Sequence, residues 1–166
     1  MRKQVLFVAF VYLGIVSLFA AKLHAFEFGI WKSGMSMREV KKIARERGIL
    51  LNKSNGKIGR ILGLSYLSKV LGEQAQITLA FTPQKRLHMV IVTWDNNYTP
   101  TKAKKNLCRK YGTPTCEETK KLFLKKCMWW PDPYTKILLE KKEDKISLIY
   151  WDWSLIRIVA SKSPQK

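Results

Sequence analysis

The sequence predicts an α+β fold made of two helix-plus-three-stranded antiparallel units, with the helices packed on one face of a sheet. Three observations carry this expectation. A fully signalled helix start stands at Ser36. Apolar residues alternate with others from Ala75 to Phe81 and again along a Val/Ile-rich run from Leu87 to Trp94. A second capped helix then opens at Thr99-Pro100 and is again followed by strand-like segments.

The chain opens with Arg2 and Lys3, an apolar run from Val5 to Ala21, and Ala-Lys-Leu-His-Ala to Ala25. Positive charge, an apolar stretch and small residues at the end form a secretory signal, with cleavage expected after Ala25. The protein is therefore expected outside the cytoplasm, periplasmic or extracellular. If the run stays uncleaved it anchors the chain in the inner membrane. The expected organisation is a signal at 1–25, a first unit at 26–98 and a second at 99–166, in one compact domain.

In the first unit, Ser36 and Glu39 are spaced as a capping box, with Met35 and Val40 placed for a hydrophobic staple over it. Val40, Ile43 and Ala44 share one face and Gly48 supplies the stop, so a helix is expected over 37–47. Asn52 to Gly59 is a polar turn region. Residues 61–67 read as a strand, with 68–72 competing as a helical turn. Ala75, Ile77, Leu79 and Phe81 have the period of a half-buried strand. Thr82-Pro83-Gln84-Lys85-Arg86 turns the chain into 87–94, which completes a hairpin.

In the second unit, Ala103, Leu107 and Tyr111 share a helical face that Gly112 and Pro114 terminate. Strands are expected at 124–130, 135–141 and 145–151, the last two joined by Lys142-Glu143-Asp144. The edge strands of either sheet are open to pairing with a second copy.

Gly34-Met35-Ser36-Met37-Arg38-Glu39-Val40 resembles the opening of the SmpA/OmlA family of small periplasmic domains, and Lys110-Tyr111-Gly112-Thr113-Pro114 is similar to their helix-ending Gly-x-Pro. That resemblance implies a helical segment followed by a three-stranded sheet, and a role beside outer-membrane assembly. The chain departs from it in having no Cys near the cut to carry a lipid and in doubling the unit. Tandem units of this shape also resemble secreted β-lactamase-inhibitor proteins, which act by occluding an enzyme.

Charge constrains the partner. The chain holds 31 Lys and Arg against 12 Asp and Glu, and residues 26–166 keep 28 of the basic ones, a net charge of +16. Self-repulsion of that size suits an anionic partner. In an exported protein this means an envelope protein or an anionic membrane or glycan surface, rather than nucleic acid. The candidate binding surface lies in the second unit: Lys120, Lys121, Lys125, Lys126, Trp129, Trp130, Lys141, Lys142 and Trp151. Adjacent Trp129 and Trp130 point to opposite faces of a strand, which sends one into the core and leaves the other free to stack.

No catalytic, cofactor or metal residues are expected. After Ala25 the single histidine is His88, with no neighbouring carboxylate in sequence, and the three cysteines form no Cys-x-x-Cys pair. Gly-rich phosphate loops and nucleophile elbows are absent from the sequence. Three cysteines permit one intramolecular bridge. Cys116 and Cys127 flank a polar segment and form the better pair, Cys108–Cys116 comes next, and Cys108 otherwise serves as a small apolar residue of the second helix. The function expected is that of an exported, non-enzymatic basic envelope protein binding an outer-membrane or assembly component or an anionic surface. The alternative is a binding-type inhibitor or partner of an exported enzyme.

Overall fold

Helix α1 (Met37–Glu46) starts where local chemistry dictates: Ser36 Oγ accepts from the Glu39 amide at 3.2 Å and Glu39 Oε2 accepts from the Ser36 amide at 2.6 Å. It ends at Gly48, whose φ of +65° lets the amides of Gly48 and Ile49 turn back onto the carbonyls of Arg45 and Ala44. That is a Schellman stop, and it favours glycine because a Cβ is strained in the left-handed region. In this computed structural model the described residues are 25–53, 62–95, 100–119, 124–142 and 145–161. The expected signal therefore lies outside them up to residue 24, as do Lys120 and Lys121 of the expected binding surface. No helix among the described residues is long and apolar enough to cross a membrane.

Before α1, β1 (Glu27–Phe28) and β2 (Trp31–Lys32) form a short antiparallel ribbon. The main body is one antiparallel sheet. Its strands are β3 (Asn52–Lys53), β4 (Leu62–Val70), β5 (Glu73–Phe81), β6 (Leu87–Asp95), β7 (Thr115–Thr119), β8 (Leu124–Trp129), β9 (Thr135–Lys142) and β10 (Lys145–Asp152). Their order is β3-β4-β5-β6-β10-β9-β8-β7, with β3 only two residues long. Helix α2 (Pro100–Tyr111) joins the halves, and α3 (Trp153–Ser161) follows β10.

This corrects the expected fold class. Strand outnumbers helix by about two to one, and the chain builds one broad sheet plus a ribbon rather than two helix-plus-three-stranded units. The second half supplies four strands, because Thr115-Cys116-Glu117-Glu118-Thr119, polar enough to read as loop, pairs with β8 as an edge strand. Edge strands need only one partner and little apolar surface, so hydrophobic alternation does not report them. Residues 68–70 likewise continue β4, and the chain turns through Leu71 and Gly72.

The seam between halves is the β6–β10 ladder, which runs from Lys145 opposite Asp95 to Trp151 opposite Met89. Alternation gives the sheet two unequal faces. One carries Ile77, Leu79, Val90, Val92, Trp94, Ile137 and Ile146 and is covered by Val40 and Ala44 of α1 and Ala103 and Leu107 of α2. The opposite face holds a smaller cluster of Ala80, Met89, Leu138 and Ile149, with Ile91, Met128 and Trp151 partly buried against it. A bulge interrupts the β5–β6 ladder: Phe81 pairs with Leu87 and Ala80 with Met89, which leaves His88 as the extra residue.

Candidate binding surface

The second-half loops bring three indoles around one ammonium. Lys136 of β9 stands directly opposite Trp151 of β10. Trp130 follows β8, and Trp153 opens α3. The Lys136 Nζ lies 5.1 Å from the Trp130 ring centre, 5.3 Å from Trp151 and 5.6 Å from Trp153. Trp130 and Trp153 meet edge to face, with centroids 6.4 Å apart and planes at 90°.

Local hydrogen bonds hold these loops. Asp132 Oδ1 accepts from the amides of Tyr134 at 2.7 Å and Thr135 at 2.8 Å, an Asx turn that closes the Pro131–Pro133 loop and aims the chain into β9. Asp152 Oδ1 accepts from the amides of Ser154 at 3.0 Å and Leu155 at 3.2 Å and from Ser154 Oγ at 2.5 Å, which caps α3. The Trp153 amide donates to the Tyr134 carbonyl at 2.7 Å and ties the two loops together. Trp130 and Trp153 are thus set by backbone bonds on both sides of the β9–β10 pair.

The indole faces concentrate negative quadrupole potential, so an ammonium among three of them is attracted to each. Among the described residues no carboxylate forms an ion pair with Lys136. Trp130 is 50% exposed and Tyr134 54% exposed, so the loop presents aromatic surface and a fixed positive charge together.

The residues expected at the surface divide. Trp129 enters the core at 2% exposure, its Nε1 donating to the Gly112 carbonyl at 3.0 Å, and so belongs to packing rather than binding. Trp130 is the outward member of that pair. Trp151 joins the cage. Lys126 stands opposite Glu140 on the sheet face that carries Lys136 and Trp151, whereas Lys141 stands opposite Ile146 on the helix-covered face. Lys125 and Lys142 hold places in β8 and β9, and their side chains lie outside the described set. Lys136 and Trp153 are the cage members that the expected surface did not include. The signal available was a lysine two residues into a strand that pairs with a Trp-rich strand, and it becomes useful only once register is known.

His88 is buried, and its Nδ1 has no hydrogen-bond partner. Burial pushes its pKa below the ordinary histidine range, against the opposing pull of a backbone bond at Ala80 and the charge of Asp152. Among the described residues no group of three or more His, Cys, Asp or Glu side chains is placed to hold a metal ion. Cys116 and Cys127 are direct partners in the β7–β8 register, and Cys108 is a free, partly buried thiol. Opposed positions of antiparallel strands have Cα separations of about 4.5–5.5 Å, inside the span a disulfide bridges.

Comparison of this chain with protein-family models, with characterised proteins and with solved structures finds no match.

Proposed function

We propose that the chain is an exported, non-enzymatic basic protein that docks on an anionic surface or component of the cell envelope through Trp130, Lys136, Trp151 and Trp153. The observation that carries this reading is the Lys136 ammonium held within 5.1–5.6 Å of three indoles, one of them the half-exposed Trp130. A lysine already ordered by its neighbours loses little further rotamer freedom on meeting a phosphate or carboxylate. Indoles suit the same boundary, since one edge is apolar and the N–H is polar. The net charge of +16 after Ala25 adds long-range attraction to that contact.

Co-sedimentation of the protein with vesicles of phosphatidylglycerol or of phosphatidylcholine tests the proposal. Binding is expected on the anionic vesicles alone and is expected to fall in 0.5 M NaCl. Lys136→Gln is expected to weaken it about fivefold, the equivalent of about 1 kcal/mol per lysine near such a surface. Equal binding to both vesicle types, or none to either, refutes the proposal.

A second reading, a binding-type partner or inhibitor of an exported enzyme, is favoured by Trp130 and Tyr134 lying half exposed in one five-residue loop. Large aromatic anchors of this kind dominate protein interfaces. A stoichiometric complex with one soluble exported protein, lost in Trp130→Ala and kept in Lys136→Gln, would select this reading over the first.

A further inference from the structure

The first described residue sits beside the indole cage. Thr135 Oγ1 donates to the carbonyl of Ala25, which fixes the start of the ribbon at the first residue of β9, next to Lys136. Thr135 is 2% exposed, and its amide donates to Asp132 Oδ1. Phe26 then enters the core at 4% exposure, beside the Tyr150 ring. Its amide donates to Ser33 Oγ at 3.4 Å and its carbonyl accepts from the Ser33 amide at 3.0 Å. The Ala25–Phe26 bond is therefore built into the fold on both sides.

Cleavage at that bond suits this arrangement poorly. It turns the Phe26 amide into an α-ammonium at a buried position, and burial penalises a charge far more than an amide. It also removes the carbonyl that a buried threonine hydroxyl uses. In the sequence, Leu23 stands two residues before Ala25, where the Ala-x-Ala pattern of cleavage sites calls for a small side chain. The apolar run from Val5 to Ala21 has 17 residues and no charge, which meets the lower limit for spanning a bilayer. Arg2 and Lys3 before it suit the cytoplasmic side. Between Ala21 and Ala25 the chain reaches at most about 14 Å, against a headgroup layer of about 5–8 Å on each side of the bilayer.

We infer that the run Val5–Ala21 is retained as an anchor, and that the end of the sheet bonded to Ala25 faces the headgroups of that same membrane. Trp130, Tyr134 and Trp153 then lie at the interface and Lys136 meets lipid phosphate. Indole and phenol rings concentrate at this boundary. Lys85 and Arg86, in the β5–β6 turn at the same end of the sheet, are exposed. The carboxylates of this end are tied into local bonds: Glu27 with Lys32 at 2.8 Å, Glu39 in the capping box, and Asp132 and Asp152 on backbone amides. They present less free charge to an anionic layer. The inference rests on the docking surface proposed above for the residues that meet lipid, and it adds which membrane they meet and how the chain reaches it.

The test uses the full chain with a carboxy-terminal tag. Membranes are washed with 0.5 M NaCl and with alkaline carbonate, and mass spectrometry reads the amino-terminal peptide. The chain is expected to stay with the membrane through both washes with Val5–Ala21 present. The purified chain is then reconstituted in vesicles of phosphatidylglycerol and phosphatidylcholine brominated near the headgroup, where bromine quenches nearby indoles. Trp31, Trp94 and Trp129 lie in the core at 2% exposure or less, so the quenching is expected to come from the surface indoles. Trp130→Phe combined with Trp153→Phe is expected to lose at least half of it. A chain that begins at Phe26, or at any residue past Ala21, overturns the inference and leaves the docking surface to the vesicle sedimentation above. Quenching that is absent, or undiminished in the double variant, overturns it equally. Equal quenching in phosphatidylcholine alone upholds anchor and orientation and refutes the anionic preference proposed above, so the two readings fail separately.

Discussion

Replacing Lys136 by Gln removes the ammonium from the three-indole cage and keeps most of the side-chain stem. The three Nζ-to-centroid distances of 5.1, 5.3 and 5.6 Å all fall inside the working range of about 6 Å, where an exposed contact contributes about 0.5–1 kcal/mol. One ammonium cannot face three rings ideally, so the sum is less than three full contacts, about 1–2 kcal/mol. The opposing effect is relief of repulsion in a strongly basic chain. A like charge 10 Å away through water costs about 0.4 kcal/mol before screening, and at 0.1 M salt that distance is already about one Debye length. The cage therefore outweighs the repulsion, and by most where salt is high. Urea unfolding followed by circular dichroism, at 0.02 M and 0.5 M NaCl, measures the balance. Lys136→Gln is expected to lose about 1–2 kcal/mol at 0.5 M and less at 0.02 M, and Lys136→Arg is expected to keep most of the stability because guanidinium also stacks on indole. A Gln variant as stable as wild type at 0.5 M, where repulsion is screened, refutes the cage as a source of stability.

Four further outcomes are expected. Tyr66→Phe leaves the Nε1 of Trp31, a residue 1% exposed, without its 2.6 Å partner, and is expected to cost about 1–3 kcal/mol in urea unfolding; a loss near zero means that water replaces the hydroxyl. Ser36→Ala removes half of the capping box and is expected to cost about 0.5–2 kcal/mol, read as a fall in Tm, while Ser36→Asp holds it. Because His88 has a folded pKa below its unfolded value near 6.5, the unfolded chain takes up the proton first. Stability is then greatest above about pH 6.5 and declines as pH falls through the window beneath it, and a Tm–pH curve that His88→Gln leaves unaltered contradicts this assignment. Finally, oxidised protein is expected to carry a Cys116–Cys127 bridge with Cys108 alkylatable on unfolding without reductant, and peptide mapping that finds Cys116 alkylated excludes that bridge.

Some of this architecture is written locally and some is not. Helix α1 was legible because a capping box and a Schellman glycine involve residues three to five apart, and the structure places its ends within a residue of expectation. The β5–β6 hairpin was legible because its alternation faces one side core and the other a thinner layer. β7 was not, since Glu117 and Glu118 carry no apolar stripe and pairing with β8 alone makes the strand. Nor was α3, since its cap, Asp152, is also the last residue of β10 and no Gly or Pro separates strand from helix.

By itself, then, the sequence determined what neighbours along the chain can decide: the caps, the turn at Thr82–Arg86, the basic surplus and the opposite fates of Trp129 and Trp130. Only the tertiary structure decided which distant strands meet. The β6–β10 ladder merges the halves into one sheet, the β9–β10 register places Lys136 against Trp151, and the bond from Thr135 to Ala25 brings the start of the ribbon beside them. The physical reason is the range of the forces involved. Capping bonds and alternation act over a few residues, whereas register and enclosed volume depend on which apolar faces find each other across the whole chain, and no short window of sequence contains that information.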